Sequence, residues 1–241
     1  MTQKHGKKYM EAVAKVDRSR TYQPDEAAQL VKDTAYTKFD ATVEAHLRLG
    51  IDPRHADQQI RTTVSLPHGT GKQVRVAVFA QGEAARAAEQ AGADIVGADD
   101  LIGRIEKEDF LDFDVAIATP DMMGRVGRLG RILGRRGLMP NPKSGTVVQP
   151  GDMARAIGEL RRGRVEFRND KTGLLHVAIG KVSFSANQIR DNFGALMDAV
   201  KAAKPSGAKG VYIKSITLTN TMGPGIPIDI GAAQSMSAAE E

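Results

Sequence analysis

Leu66-Pro67-His68-Gly69-Thr70-Gly71-Lys72-Gln73-Val74-Arg75-Val76-Ala77-Val78-Phe79 decides the fold, because a break rich in turn formers runs straight into a near-continuous apolar strand. Downstream of it the rhythm is strand, helix, strand. The run Val74 to Phe79 is followed by an Ala-rich helical stretch from Glu83 to Ala91 and a strand at Asp94-Ile95-Val96. A short helical stretch around Leu101 to Ile105 and a buried strand from Val115 to Ala118, ending at Thr119-Pro120, complete the pattern. Apolar strands alternating with helices predict a parallel sheet with helices on its faces, a small three-layer α/β domain.

Upstream of the break the period is different. Helices are expected from Lys8 to Val16 and after Gln23-Pro24-Asp25-Glu26, where proline and two carboxylates suit a helix start. From Thr42 the period becomes two: Val43, Ala45, Leu47 and Leu49 point one way, Thr42, Glu44, His46 and Arg48 the other. That is a strand with one buried and one polar face. Arg61 to Leu66 reads as a second strand.

Beyond the α/β unit, Gly124 to Gly145 is rich in glycine and arginine, and a helix is expected from Asp152 to Arg161 with Gly163 at its end. Strands at Val165 to Arg168 and Leu174 to Ile179 are joined by Asn169-Asp170-Lys171-Thr172-Gly173, which reads as a hairpin connection. A long helix from Ala186 to Lys204 carries Ile189, Phe193, Leu196, Met197 and Val200 on one face. The last strand, Val211 to Thr219, sets Ser215, Thr217 and Thr219 opposite Ile216 and Leu218, and the tail after Ile230 reads as loose. Strands at both ends of the chain flank the α/β unit. The middle, 69–159, is therefore expected to be inserted into a discontinuous outer domain made of 1–68 and 160–241.

The 241 residues include no cysteine and no tryptophan, which excludes disulfides, thiolate catalysis and Cys-ligated zinc. No run of eighteen apolar residues occurs, and the Lys-rich start, Met1 to Tyr9, lacks the apolar stretch of a signal peptide. A soluble cytoplasmic protein with no membrane partner is expected. The formal net charge of +5 is modest, but its distribution is informative. Residues 1–68 and 160–241 sum to +6 and residues 69–159 to −1. Within the middle, 69–123 hold 5 basic and 11 acidic groups, whereas 124–151 hold 6 basic and none acidic. The ends are the better binders of a polyanion.

Enzymatic motifs are missing. Gly69-Thr70-Gly71-Lys72 is too short for a phosphate loop, and Gln73 stands where Ser or Thr would reach magnesium. With paired glycines it reads instead as an interdomain hinge, together with Gly163 near the return strand. Glycines at 124, 127 and 130 recur every three residues, unlike a dinucleotide fingerprint. The histidines at 5, 46, 55, 68 and 176 form no metal-binding spacing, and no nucleophile motif is present. No catalytic residue, metal or cofactor is expected. The basic segment Arg125, Arg128, Arg131, Arg135, Arg136 and Lys143 reads either as a solvated loop or as a phosphate-contacting surface, and composition alone does not choose.

Five strings, in order, carry a family resemblance: Ala35-Tyr36-Thr37-Lys38-Phe39-Asp40-Ala41-Thr42-Val43-Glu44, Leu66-Pro67-His68-Gly69-Thr70-Gly71-Lys72, Gly137-Leu138-Met139-Pro140-Asn141-Pro142-Lys143, Phe167-Arg168-Asn169-Asp170-Lys171 and Thr221-Met222-Gly223-Pro224. Together they resemble the ribosomal stalk protein family L-one, bacterial type. The resemblance implies an α/β fold of two domains, a discontinuous split α+β RNA-binding domain with an inserted three-layer Rossmann-like domain. It implies binding to large-subunit rRNA in the stalk beside other ribosomal components, help in release of deacylated tRNA from the exit site, and repression of the chain's own operon mRNA. A free translational regulator and a Rossmann-type enzyme are the rival readings.

Carried over residue by residue, the rRNA surface would include Lys38, Phe39, Thr42, Glu44, Arg168, Asp170, Lys171, His176, Ser215, Thr221, Met222, Gly223 and Pro224. Thr42 and Glu44 share the polar face of one strand, so both can meet a ligand lying on the sheet. Glu44 suits a base edge or a ribose 2′-OH rather than phosphate. Phe39 reads equally as a core residue or a stacking platform. Two positions depart from the family pattern: Arg135 replaces a usual proline, and Asn220 a common threonine.

Overall fold

A computed structural model describes residues 6–236. His5, the first part of the polar N-terminal run and the tail from 237 onward lie outside the described residues. The chain is a mixed α/β protein of two compact units, one formed by the chain up to Gly71 and from Val165 onward, the other by Lys72–Arg164. Both divisions fall a few residues after the 68/69 and 159/160 expected. The reason lies in the packing. The helix ending at Arg162 buries Met153, Ala156, Ile157 and Leu160 in the middle unit, whereas the turn at His68–Gly69 is bonded to the buried Asn192 of the outer unit.

The chain enters through α1 (Lys7–Ala14), α2 (Pro24–Asp33), β1 (Thr42–Leu49) and β2 (Arg61–Ser65). Pro24 opens α2 with Asp25 and Glu26 in its first turn, and Ala27, Ala28 and Val31 are buried. Burial along β1 alternates strictly enough that Val43, Ala45, Leu47 and Leu49 are all inside.

The middle unit follows as β3 (Val76–Phe79), α3 (Gly82–Gln90), β4 (Ile95–Gly97), α4 (Asp99–Glu108), β5 (Val115–Ala118), α5 (Met123–Val126), α6 (Gly130–Arg136) and α7 (Met153–Arg162). Its three strands are parallel in the order β4-β3-β5. One face is covered by α4, α5 and α6 through Leu101, Ile105, Val126 and Leu133, the other by α3 and α7 through Ala84, Ala88, Met153 and Ile157. Helix α7 stops at Gly163, whose φ of 109° is costly for residues with a side chain.

The chain then returns through β6 (Arg164–Arg168), β7 (Leu174–Lys181), α8 (Ala186–Ala202), β8 (Ile213–Asn220), β9 (Ile226–Ile228) and α9 (Ile230–Ser235). The outer sheet is ordered β7-β1-β8-β9, with β1 antiparallel to both neighbours. Helix α8 begins with a full capping box, Ser185 and Gln188 each bonding the other's backbone N–H. Ile189, Phe193, Leu196, Met197 and Val200 are buried against the sheet, each contributing about 1.5–3 kcal/mol relative to exposure.

Three expectations need correction. The turn 169–173 does close as a hairpin, on the antiparallel Asn169–Leu175 bridge, but β6 itself pairs with β2 in a separate two-stranded sheet, and among the described residues no β6–β7 ladder forms. The tail after Ile230 is not loose through Ser235: α9 starts on an Asp229 cap and buries Ala233. The segment 123–136 is helical rather than a loop, with Val126, Leu129 and Leu133 buried and every arginine between them exposed.

Candidate nucleic-acid interface

One face of the outer sheet carries α2 and α8; the other presents polar side chains. The register decides which of them meet. Glu44 stands opposite Thr219, His46 between His176 and Thr217, and Arg48 opposite Ser215. Segments distant in sequence are thereby brought onto one surface. At the end of the sheet the Thr221 N–H donates to the Thr42 carbonyl at 3.0 Å, and the Thr42 N–H to Thr221 Oγ1 at 2.9 Å. The Lys181 ammonium donates to Thr42 Oγ1 at 2.8 Å. Residues 38–44 and 221–224 are thus tied together.

The loop Thr221–Pro224 is held from below. The Tyr36 hydroxyl donates to the Met222 carbonyl at 2.7 Å, and the Gly223 N–H to the Asn220 carbonyl at 2.9 Å. Asn220 is buried; its amide donates to the Val31 carbonyl at 2.8 Å while its Oδ1 has no protein partner. A Cβ at Gly223 would lie 2.5 Å from that oxygen, so the close approach requires glycine. The result is an exposed apolar projection, since Met222 is 52% and Phe39 56% exposed. Phe39 is therefore not a core residue. Pro224 is buried and shapes the loop from within.

The second cluster surrounds Asp170. Its carboxylate accepts the Thr172 and Leu174 N–H groups, each at 2.8 Å, and the Thr172 hydroxyl. The Leu174 bond first, with those from Thr172, holds this carboxyl below the usual carboxylate range. Asp170 thereby organises the turn that displays Lys171 and Arg168, both exposed. Beside them lies an open cleft of about 750 Å³, lined by Ile60, Arg61, Arg168, Asp170, Lys171 and His176 among others. Arg61 is paired with Glu166 at 2.5 Å across the β2–β6 ribbon.

His46 and His176 approach with Nδ1 to Nδ1 at 2.8 Å, rings edge to face. Burial chiefly, and then the neighbouring His176, hold the His46 imidazole below its ordinary value, with Glu44 pulling the other way. Sequence spacing hides this pair, because the two residues lie 130 positions apart. Tyr36, Lys181 and the loop-supporting role of Thr219, whose hydroxyl faces the carbonyls of Asn220, Gly223 and Pro224, were equally invisible before the register was known.

In the middle unit Arg125, Arg128, Arg131, Arg135, Arg136 and Lys143 are all exposed along α5, α6 and the following turn, and Arg125 is paired with Asp99 at 2.7 Å. Gly69 and Gly71, expected as a free hinge, are constrained: both have positive φ, the Gly69 carbonyl accepts from Asn192, and a Cβ at Gly71 would lie 2.8 Å from the Lys181 side chain. Among the described residues no group of three or more His, Cys, Asp or Glu side chains is arranged to hold a metal ion, and no helix is long and apolar enough to cross a membrane.

A model of the family described as "Ribosomal protein L1p/L10e family" matches residues 31–224. The large ribosomal subunit protein uL1 of Chloroflexus aggregans is 74% identical over 233 residues, 97% of this chain and 98% of that protein. The protein of the same name from Chloroflexus aurantiacus is 74% identical over 235 residues, 98% of this chain and 99% of its own length.

Proposed function

Since the chain belongs to the ribosomal protein L1p/L10e family, we propose that its outer unit binds stalk rRNA on the polar face of the sheet β7-β1-β8-β9, beside the loop Thr221–Pro224. The protein is a structural, RNA-binding component of the large ribosomal subunit in the cytoplasm and not an enzyme. Its general partners are ribosomal RNA and proteins. The finer architecture, a discontinuous α+β domain with an inserted Rossmann-like domain, is supported by the two compact units and by the parallel order β4-β3-β5.

The observation that carries the site is the register: it aligns Glu44, His176 and Ser215 on one polar face and ties Thr42 to Thr221 at its end. Exposed Phe39 and Met222 offer apolar surface to unstacked bases, Glu44 and Ser215 hydrogen bonds to base edges or 2′-OH groups, and Lys38, Arg168 and Lys171 charge to phosphates. Because one RNA surface can serve two similar RNAs, the same face would repress the chain's own operon mRNA. The exposed arginines of α5 and α6 would meet exit-site tRNA, with motion about the crossings at Gly69, Gly71 and Gly163.

The test is binding of the full chain to a stalk rRNA fragment and to an unrelated hairpin over a salt series. A specific site gives preference for the stalk fragment by about a thousandfold that persists at high salt. Equal affinity for both RNAs would reduce the face to a non-specific polyanion surface.

A further inference from the structure

Glu44, His46, His176 and Asp170 line up across β1 and β7, with the two imidazoles hydrogen-bonded and a carboxylate near each end. Glu44 Oε2 lies 3.6 Å from His46 Nε2, the two Nδ1 atoms are 2.8 Å apart, and His176 Nε2 lies 3.9 Å from Asp170 Oδ2. At 2.8 Å two imidazole lone pairs cannot face each other, so one Nδ1 carries a proton and donates it to the other. Two protonated Nδ1 atoms cannot face each other there either. The pair as built therefore holds one bridging proton, between two carboxylates.

His46 is the more enclosed of the two imidazoles, with 30% of its side chain exposed against 51% for His176. We propose that His46 is a positioning residue of the RNA face: it orients His176 across the strand pair, and the chain takes up a proton from solvent when RNA docks. The inference rests on the RNA-binding reading of this face.

The charge inventory gives the direction. Glu44 and Arg48 are the charged groups of β1 on this face, Asp170 and Lys171 those of the adjoining turn. The residues of β7 and β8 directly opposite Glu44, His46 and Arg48, other than His176, are Leu174, Ala178, Ser215, Thr217 and Thr219, none charged. Glu44 and Asp170 are balanced by Arg48 and Lys171 around a neutral imidazole pair, so the phosphates of a docked RNA supply the field that favours an added proton. RNA in turn favours the added positive charge, so binding and protonation reinforce each other. Burial and the neighbouring His176 keep His46 neutral in the free protein, which leaves it able to accept that proton.

The test uses the full chain, its His46→Ala and His46→Asn variants, and a stalk rRNA fragment at constant ionic strength between about pH 5.5 and 8. Wild-type affinity should rise about three- to tenfold from pH 7.5 to 6. His46→Ala, which leaves His176 unheld, should bind about fivefold more weakly at pH 7.5 and lose most of the pH dependence. The carboxamide introduced by His46→Asn can still bond His176, so affinity at pH 7.5 should return to within about twofold of wild type while the pH profile stays flat. Long-range nitrogen spectra of the free proteins should show a hydrogen-bonded imidazole pair in wild type that is lost in His46→Ala. Superimposable pH profiles for wild type and His46→Ala would overturn this inference alone. No preference of wild type for the stalk RNA at any pH would overturn the RNA-binding reading as well.

Discussion

The four-stranded sheet of the outer unit and the three-stranded sheet of the middle unit solve burial in opposite ways, and the difference shows where a ligand can lie. In the middle unit β3 is buried at every residue and both faces of the sheet are covered by helices. Only the half-buried edge strand β4 and the start of β5 remain partly accessible, and the exposed arginines lie on the helix surfaces and the turn that follows. In the outer unit β1 buries alternate residues against α2 and α8 and leaves Thr42, Glu44, His46 and Arg48 on an uncovered face. A parallel sheet needs helices on both sides because its crossovers run there; an antiparallel sheet does not. The open face of the outer sheet is the surface to which the proposed RNA site belongs.

The sharpest way to break that comparison is to separate the units. Replacing residues 72–164 by a short linker should leave affinity for stalk rRNA within about threefold, a free-energy change under about 1 kcal/mol. The excised 72–164 fragment should bind the same RNA more weakly by over a hundredfold, about the gap between specific and non-specific binding. Titrations of each folded fragment decide it. Dominant binding by the middle fragment would put the site in the wrong unit.

Within the outer unit the next largest effects belong to the loop. Met222→Ala removes exposed apolar surface, and Thr221→Ala removes the hydroxyl that accepts the Thr42 N–H at 2.9 Å. Each should weaken stalk-RNA binding by roughly 1–3 kcal/mol and leave the salt slope unchanged, because neither removes a phosphate-neutralising charge. Wild-type affinity in both variants would make this loop structural only.

How much of this was legible beforehand depends on whether the signal was local. The alternation Val43, Ala45, Leu47, Leu49 and the helical face Ile189, Phe193, Leu196, Met197, Val200 are local, and both are buried as read. Pairing is not local. That β1 lies between β7 and β8, and that β6 joins β2 rather than β7, follows from cores built by residues more than a hundred positions apart. The helices α5 and α6 were hidden by glycines every third residue, though the spacing Met122, Val126, Leu129, Leu133 carries a helical period. On the proposed RNA face, Phe39, Met222 and Lys171 could be named from the sequence, and the structure shows them exposed. Tyr36, Lys181 and the His46–His176 contact required the fold.

A smaller effect separates charge from shape. Lys171 is exposed on the turn that Asp170 organises and has no role in the loop network. If it touches phosphate, Lys171→Ala should lower the salt slope by about one unit and weaken an unrelated hairpin as much as stalk RNA. Isotherms on both RNAs at several salt concentrations measure this, and an unchanged slope would remove Lys171 from the phosphate contacts.

The smallest expected effect contrasts the two units by acid. Both contain carboxylates held below the ordinary range: burial works against Asp114 and Asp191, but Lys72 and Arg75 hold the first low and His68 and Arg190 the second. Such groups contribute stability above their unfolded value of 3.8, lost as pH falls through the folded value, so both units should weaken in strong acid. Only the outer unit holds an imidazole, His46, that burial first and His176 second keep below the unfolded value of 6.5. A folded state that disfavours the imidazolium binds fewer protons than the unfolded chain, so the contribution of His46 is complete above about pH 6.5 and declines below it. Between pH 7.5 and 5.5 the amides of β1 and β7 should therefore lose protection relative to those of β3 and β5. Hydrogen exchange on the intact chain, corrected for intrinsic rates, follows both sheets in one sample. His46→Asn should abolish the difference. Equal changes in the two sheets of the wild type would mean that the imidazole is not held neutral by its surroundings and that the outer unit is no more sensitive to mild acid than the middle unit.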